Sequence, residues 1–383
     1  RTTGFAYDSM GRRTKATLPD GRSVDYRYSP AGEITSESGA DTYPAGYGFD
    51  AAGRMKSLTT YRIHPGTSDT TSWAYEQQRG FMTSKVYADG SSVGYTYHPD
   101  GLPASRTWAR GAGALYSYDA AGQTASIAYT DGTTAGVNVT RDLFGRATSV
   151  VDGTGSHVFT YNPDGTVATE SVPQVPGYSI EYSYDALGRR TGMALKNGGA
   201  AVLSNMFTYD SSSRISTVSD GTNTASYAYV PGTGLLSSAD VSSGSSNILT
   251  SSRTYDNLNR LTKISNLSGA AALREVSYEY NSSDRRTRAA DEDGSYWSYS
   301  YDKYGQVVSG RKLTPANQPV PGHFFQYAFD DIGNLKVEKR NGNTFEYKTN
   351  NLNQYTRRTV PGKADVTGSA EETAQVSIRQ ESN

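Results

Sequence analysis

One pentapeptide has the spacing of a serine nucleophile: Gly90-Ser91-Ser92-Val93-Gly94 matches Gly-x-Ser-x-Gly. In a hydrolase that motif turns from a strand into a helix, so that the serine oxygen stands beside an oxyanion hole. Here Asp89-Gly90 reads as a hairpin turn and Tyr95-Thr96-Tyr97 as the returning strand. The helix is missing from the pattern, and Ser92 is expected to be an ordinary turn-flanking residue. The histidines, His64, His98, His157 and His323, stand far apart, whereas a zinc site needs several to converge. Asp291-Glu292-Asp293-Gly294 and Asp330-Asp331 are the densest acidic points. They could offer carboxylates to calcium, but the EF-hand spacing is absent. Glycosidase chemistry needs two carboxylates facing each other across a sugar, and Asp293-Gly294 reads more simply as a turn. The chain has no cysteine, which removes thiolate metal sites, disulfides and thiol catalysis together. No catalytic residue, metal site or cofactor is expected.

The aspartates that recur do so in a fixed setting. Tyr182-Ser183-Tyr184-Asp185-Ala186-Leu187-Gly188-Arg189 gives the pattern: aromatic, any residue, aromatic, Asp, two spacers, Gly, Arg. It returns at Tyr7-Asp8 with Gly11-Arg12, and at Phe49-Asp50 with Gly53-Arg54. Tyr118-Asp119 with Gly122-Gln123 and Tyr301-Asp302 with Gly305-Gln306 are further copies. Degraded copies include Asp142 with Gly145-Arg146, Tyr209-Asp210, Tyr255-Asp256, and Phe329-Asp330 with Gly333. His98 occupies the Asp position of one such copy. About sixteen copies at roughly 20–28 residues apart lie in the range that marks a repeat architecture. A residue repeated this often is structural rather than catalytic.

The unit specifies its own local structure. Tyr182 and Tyr184 are two apart and share a face on a strand. Asp185 can accept backbone N–H bonds and nucleate a turn, and Gly188 can take a positive φ. Arg189 is placed to pair with a carboxylate or stack on a Tyr. A second turn follows in most copies, as at Asp20-Gly21, Asp89-Gly90, Asp131-Gly132 and Asn197-Gly198. Asp-Gly and Asn-Gly between alternating runs are strong hairpin signals. Each repeat is therefore two antiparallel strands and two turns. No window has sustained helical periodicity. The fold class is all-β, with about thirty strands at two per repeat.

Tyr-Asp-x-x-Gly-Arg at this period resembles the YD repeats of Rhs proteins, Tc-toxin C components and teneurins. The resemblance covers nearly the whole chain, to about residue 358. It implies tandem antiparallel hairpins curling into a spiral sheet or partial hollow β-shell. It further implies a shell that encloses a C-terminal toxin cargo in a secreted or cell-surface protein. In that family the shell is typically followed by an Asp-Pro-x-Gly-like core, aspartyl self-cleavage residues and a variable toxin, none of which stands here. The chain reads as a wall segment of a longer protein, without enzymatic activity of its own.

Composition narrows the partners. Lys and Arg number 37 against 38 Asp and Glu, so the basic excess of a nucleic-acid binder is absent. No apolar run is long enough to span a bilayer. Hydrophobic residues are only 35%, but there are 30 tyrosines, which suit a half-buried pleated surface. The core is expected to be thin and Tyr-rich. Two rivals to the shell stay open. One is an extracellular carbohydrate- or protein-binding module, since Tyr-rich hairpins resemble choline- and glucan-binding repeats. Those are richer in Trp, and only Trp73, Trp108 and Trp297 occur here. The other is an eight-bladed propeller. A ribbon of about thirty strands would be roughly 150 Å wide and, closed once, would leave an interior roughly 30 Å across, enough for a small domain.

The repeats are assigned to residues 1–358, and 359–383 to a tail or following module. The Ser/Gly-rich tract 231–252 reads as a long hairpin loop, and 313–322 as a Pro-bearing loop.

Overall fold

The computed structural model describes residues 1–361. Most of the tail assigned to 359–383 lies outside the described residues. Thirty-two strands, from β1 (Gly4–Tyr7) to β32 (Tyr355–Arg358), follow one another, with no helix among the described residues. They form an up-and-down antiparallel sheet.

The central repeats show why. β17 (Tyr178–Tyr184) pairs with β18 (Arg190–Asn197), and β18 with β19 (Ala200–Tyr209). The turn between β17 and β18 is closed by Asp185 N–H to the Arg189 carbonyl at 2.9 Å and by Gly188 N–H to the Asp185 carbonyl at 2.9 Å. Gly188 has φ 73°, a conformation that costs a side-chain-bearing residue about 1 kcal/mol or more. Just before the turn the register shifts: Ser183 faces Gly192, while Tyr184 faces Arg190. Thr191 is the extra residue of a β-bulge, which bends the strand end. The same shift precedes Tyr209, Tyr255, Tyr301 and Phe329. The residue before each shift is commonly Ser or Thr, and its hydroxyl meets another on the partner strand. Thr208–Thr217, Ser117–Ser126 and Ser300–Ser309 are each 2.6 Å apart.

Two expected loops are strands. The tract 231–252 holds β22 (Leu236–Ser243) and most of β23 (Ser246–Tyr255), joined by a tight turn in which Gly244 has φ 57°. Its serines come in pairs between Leu, Val and Ile, and pairing with β21 (Asn223–Tyr229) and β24 (Leu261–Ser268) fixes the tract as strand. Tertiary pairing overrides a loop-like composition here. Pro319 and Pro321 lie inside β29 (Pro319–Phe329), and the intervening loop shrinks to a turn around 314–318.

The core is thin. Among the described residues the buried apolar ones are Ala16, Val24, Ala40, Val93 and Ala114, and no large side chain is fully buried. Most strand residues are half-buried on a single sheet.

The chain divides into two units. The first comprises Arg1–Ala45, Thr60–Asp69 and the chain from Tyr280 onward; the second comprises Gly46–Thr59 and Thr70–Glu279. Within the first unit, segments far apart in sequence pack together, as described below.

Candidate functional site

The repeated Asp, Gly, Arg and Tyr residues build one clamp. In the copy at Asp185, one carboxylate oxygen accepts the N–H of Leu187 at 2.9 Å and of Arg189 at 3.0 Å. The other oxygen accepts Arg189 Nε at 2.7 Å. The Arg189 guanidinium, opposed by burial and helped by the backbone N–H of Arg189, holds this carboxyl below its usual range. The same planar pair joins Asp8 to Arg12, Asp50 to Arg54, Asp142 to Arg146, Asp210 to Arg214 and Asp256 to Arg260, at 2.6–2.7 Å. A carboxylate that accepts both backbone N–H groups and a guanidinium face is a satisfied structural acid.

The arginine also reaches the next repeat. Arg189 lies 4.6 Å over the Tyr209 ring, Arg146 4.4 Å over Tyr161 and Arg54 4.5 Å over Tyr75. Pairing and stacking, expected as alternatives, are made together. The Tyr hydroxyl then donates to the carbonyl that follows the preceding clamp arginine: Tyr209 to Arg190 at 2.7 Å, Tyr161 to Ala147 at 2.6 Å, Tyr301 to Arg286 at 2.6 Å. Tyr118 donates to Pro103 and Tyr255 to Leu236, both at 2.8 Å. Each hydroxyl bond contributes about 1 kcal/mol, and along an array such terms add. Tyr7, in the first repeat, is exposed. Phe49 and Phe329 have no hydroxyl to donate.

Where arginine is absent the turn persists. Asp119 accepts Ala121 and Gln123 N–H at 2.9 Å, with Gly122 N–H on its carbonyl. Asp302 accepts Tyr304 and Gln306 N–H, and Gly305 completes that turn. Asp330 takes the Asn334 side chain at 2.9 Å, with Gly333 N–H on its carbonyl. In the copy at His98, Asp100 accepts Leu102 N–H, so the acid has moved two residues along.

The other candidates are dispersed. Ser92 opens β9 (Ser92–Tyr97), directly after a turn closed by Gly90 N–H to the Tyr87 carbonyl, and a strand rather than a helix follows. His157 faces Glu170 at 3.3 Å, and His323 Nδ1 lies 2.9 Å from the Pro321 carbonyl. Asp291 pairs with Lys312 at 3.1 Å, and Asp293 caps its own turn through Ser295 N–H. Among the described residues no three His, Asp or Glu side chains gather as a metal site.

Sequence reasoning missed a seam within the first unit. Three second turns of early repeats dock onto clamp turns of late ones. Asp20 accepts the Ser283 hydroxyl, and Arg22 donates to the Lys303 carbonyl at 2.9 Å. Asp41 N–H reaches the same carbonyl at 3.0 Å, and the Asp41 carboxylate pairs with Arg285. Tyr43 and Tyr304 rings are 5.3 Å apart. Asp331 N–H donates to the Arg62 carbonyl at 3.1 Å, while its carboxylate accepts His64 N–H and the Tyr304 hydroxyl, both at 2.8 Å. The Ser283 hydroxyl first, and then Arg22, holds Asp20 down at about 2 against burial. The available signal was in the spacers. Ser283, Lys303, Tyr304 and Asp331 are polar, where the clamp turns at 50–54, 119–123, 142–146 and 185–189 carry only Ala, Leu or Phe as spacers, although Ser211-Ser212 is polar too.

The recurrent acids are thus consumed by turn clamps. A family model described as the teneurin YD-shell matches residues 191–367. The chain is similar to the Tc holotoxin pore of Photorhabdus luminescens, with TM-score 0.57 and 13% identity over 94% of this chain and 24% of that one. A crystal structure of TcdB2-TccC3-TEV aligns with TM-score 0.49 and 13% identity over 91% of this chain and 24% of that one. The chain thus spans about a quarter of the length of the solved chains it matches. No curated protein sequence matches it. Residues 191–367 thus match a YD-shell family, and the chain has the fold of the Tc-toxin shell.

Proposed function

We propose that this chain is a wall segment of a hollow, non-catalytic shell that holds a protein cargo, a toxin by analogy with the Tc assembly, in a secreted or surface protein. The observation that carries the reading is the clamp lattice: the recurrent Asp and Arg side chains are taken up in turns and neighbouring rings, leaving no acid–base pair among them. The seam within the first unit supports it, because turns near 20, 41 and 62 meet turns near 283, 303 and 331, a contact between early and late repeats that a wall requires. The fate of the aromatic rings supports containment over ligand stacking. The Tyr75, Tyr161, Tyr209 and Tyr229 rings already carry an arginine.

Protease protection tests containment. In the longer protein that carries this segment, a protein segment outside the repeats should resist protease and become cleavable when Arg22→Ala loosens the seam. A cargo equally cleavable in both would overturn containment. The chain alone should turn over no simple ester, glycoside or phosphodiester. Hydrolysis abolished by Ser92→Ala would overturn the non-enzymatic assignment.

A further inference from the structure

We propose that two neighbouring second turns of the second unit, 87–91 and 108–112, form a binding site for a carboxylate carried on a ring-sized body, the chemistry of a hexuronate sugar. The inference is independent of containment. A cavity of about 370 Å³ opens between the turns, lined by Tyr87, Val93, Trp108, Ala109 and Arg110. That volume lies in the range of small-ligand pockets. Val93 is only 3% exposed and gives the cavity an apolar floor, with the Tyr87 and Trp108 side chains as walls.

Arg110 stands where the repeat places a turn-capping acid. Turns 18–22, 87–91 and 108–112 close alike: the first N–H donates to the fifth carbonyl, and the Gly N–H to the first carbonyl. Asp20 and Asp89, third in their turns, accept the N–H two residues on at 3.0 and 2.9 Å. Arg110, third in its own turn, has only donors to offer. A local folding rule given up in one copy points to function at that copy. What the arginine adds is charge. Lys85 Nζ lies 4.9 Å from the Tyr87 ring, and the Arg106 and Arg110 guanidinium groups lie 5.6 and 5.2 Å from the Trp108 ring. Among the described residues no carboxylate pairs with any of the three, and Arg106 Nε is buried without an acceptor. The acid whose field Arg110 feels is Asp131, and its carboxylate is taken up by Thr134. Clamp arginines also lie over rings, but Asp50, Asp142 and Asp185 neutralise Arg54, Arg146 and Arg189. Three cations held against two rings with no anion call for one. The Arg110 N–H edge suits a carboxylate, and the Tyr87 and Trp108 walls suit the apolar face of a ring. A bare inorganic anion would leave Val93 and both walls uncovered.

Titration of the full chain with glucuronate, followed by tryptophan fluorescence, tests this. Trp108 is one of 3 tryptophans, so Trp108→Phe shows which part of the signal is local. The expected result is saturable binding of glucuronate, with glucose and inorganic sulfate each weaker by about 10-fold or more. Arg110→Asp restores the capping acid of the turn. It should therefore raise the midpoint of chemical denaturation while weakening glucuronate binding by about 100-fold. Arg106→Gln should weaken binding by about 10-fold. No saturable binding overturns the proposal, as does an unchanged signal in Trp108→Phe or parental affinity in Arg110→Asp. Sulfate binding as tightly as glucuronate would overturn the ring-bearing ligand, and glucose binding as tightly would overturn the role of the cations.

Discussion

The two units use one repeat and differ at its rim. In the first, the spacers between clamp Asp and Gly make bonds to turns some 260 residues away in sequence, as Ser283 does with Asp20. In the second, equivalent spacers such as Leu187 and Leu258 are exposed. The clamp is the same in both: Asp8 with Arg12 in the first unit and Asp185 with Arg189 in the second share a geometry to within about 0.1 Å. The four fixed positions therefore build the sheet in both units, and spacers such as Ser283 carry the contacts at the seam.

Breaking the seam should separate the units most sharply. Arg22 contacts Asp20, Asp41, Ser283 and the Lys303 carbonyl. Arg22→Ala leaves Asp20 and Asp41 with one partner fewer, and should cost the first unit about 2–4 kcal/mol. Hydrogen exchange should quicken in residues 1–45 and around 281–334, with no change across 98–256.

Glycine substitutions come next. A Cβ on Gly310 would meet the Phe325 ring at 2.2 Å, so Gly310→Ala must displace a ring packed against Trp297 and Tyr327, at about 1–3 kcal/mol. Gly188→Ala meets no atom and carries only the backbone cost of φ 73°, about 1 kcal/mol. Chemical denaturation would rank the two.

Legibility divides along the same line. The clamp could be read because its causes are local: Asp185, Gly188 and Arg189 act within five residues, and the chemistry of a turn is written in its own segment. The seam could not, because Asp20-Gly21 looks like any other hairpin turn, and nothing nearby shows that Ser283 will face it. The tract 231–252 failed for a related reason. Its Ser and Gly content signals a loop, while its strand state comes from neighbours on both sides. Aromatic residues gave the strand ends, but not the bulge that aims each Tyr hydroxyl at a carbonyl.

Acid should also tell the units apart. Asp20 in the first unit, and Asp131 and Asp220 in the second, have carboxyls held at about 2 against an ordinary 3.8. The folded-state value is depressed, so the stabilisation is fully present above the ordinary value. It is lost as pH falls from about 4 to about 2. Protonating Asp131 or Asp220 frees only its own turn, where Thr134 and Asn223 are the partners. Protonating Asp20 releases Ser283 across the seam. Between pH 5 and pH 2.5, exchange near 281–285 should rise along with that near 20–22.

The smallest effects should be equal in both units. Tyr301→Phe and Tyr209→Phe each remove one hydroxyl bond to a backbone carbonyl and should each cost about 1 kcal/mol. A large difference between them would mean that the repeat is not the common element.

The account turns on the seam, and the absence of cysteine makes a clean test possible. Asp41 and Lys303 meet through the Asp41 N–H and the Lys303 carbonyl. With cysteines at both positions, a short thiol-reactive cross-linker should join them within one molecule, at a yield independent of protein concentration. Cross-linking only between molecules, or none at all, would contradict the seam.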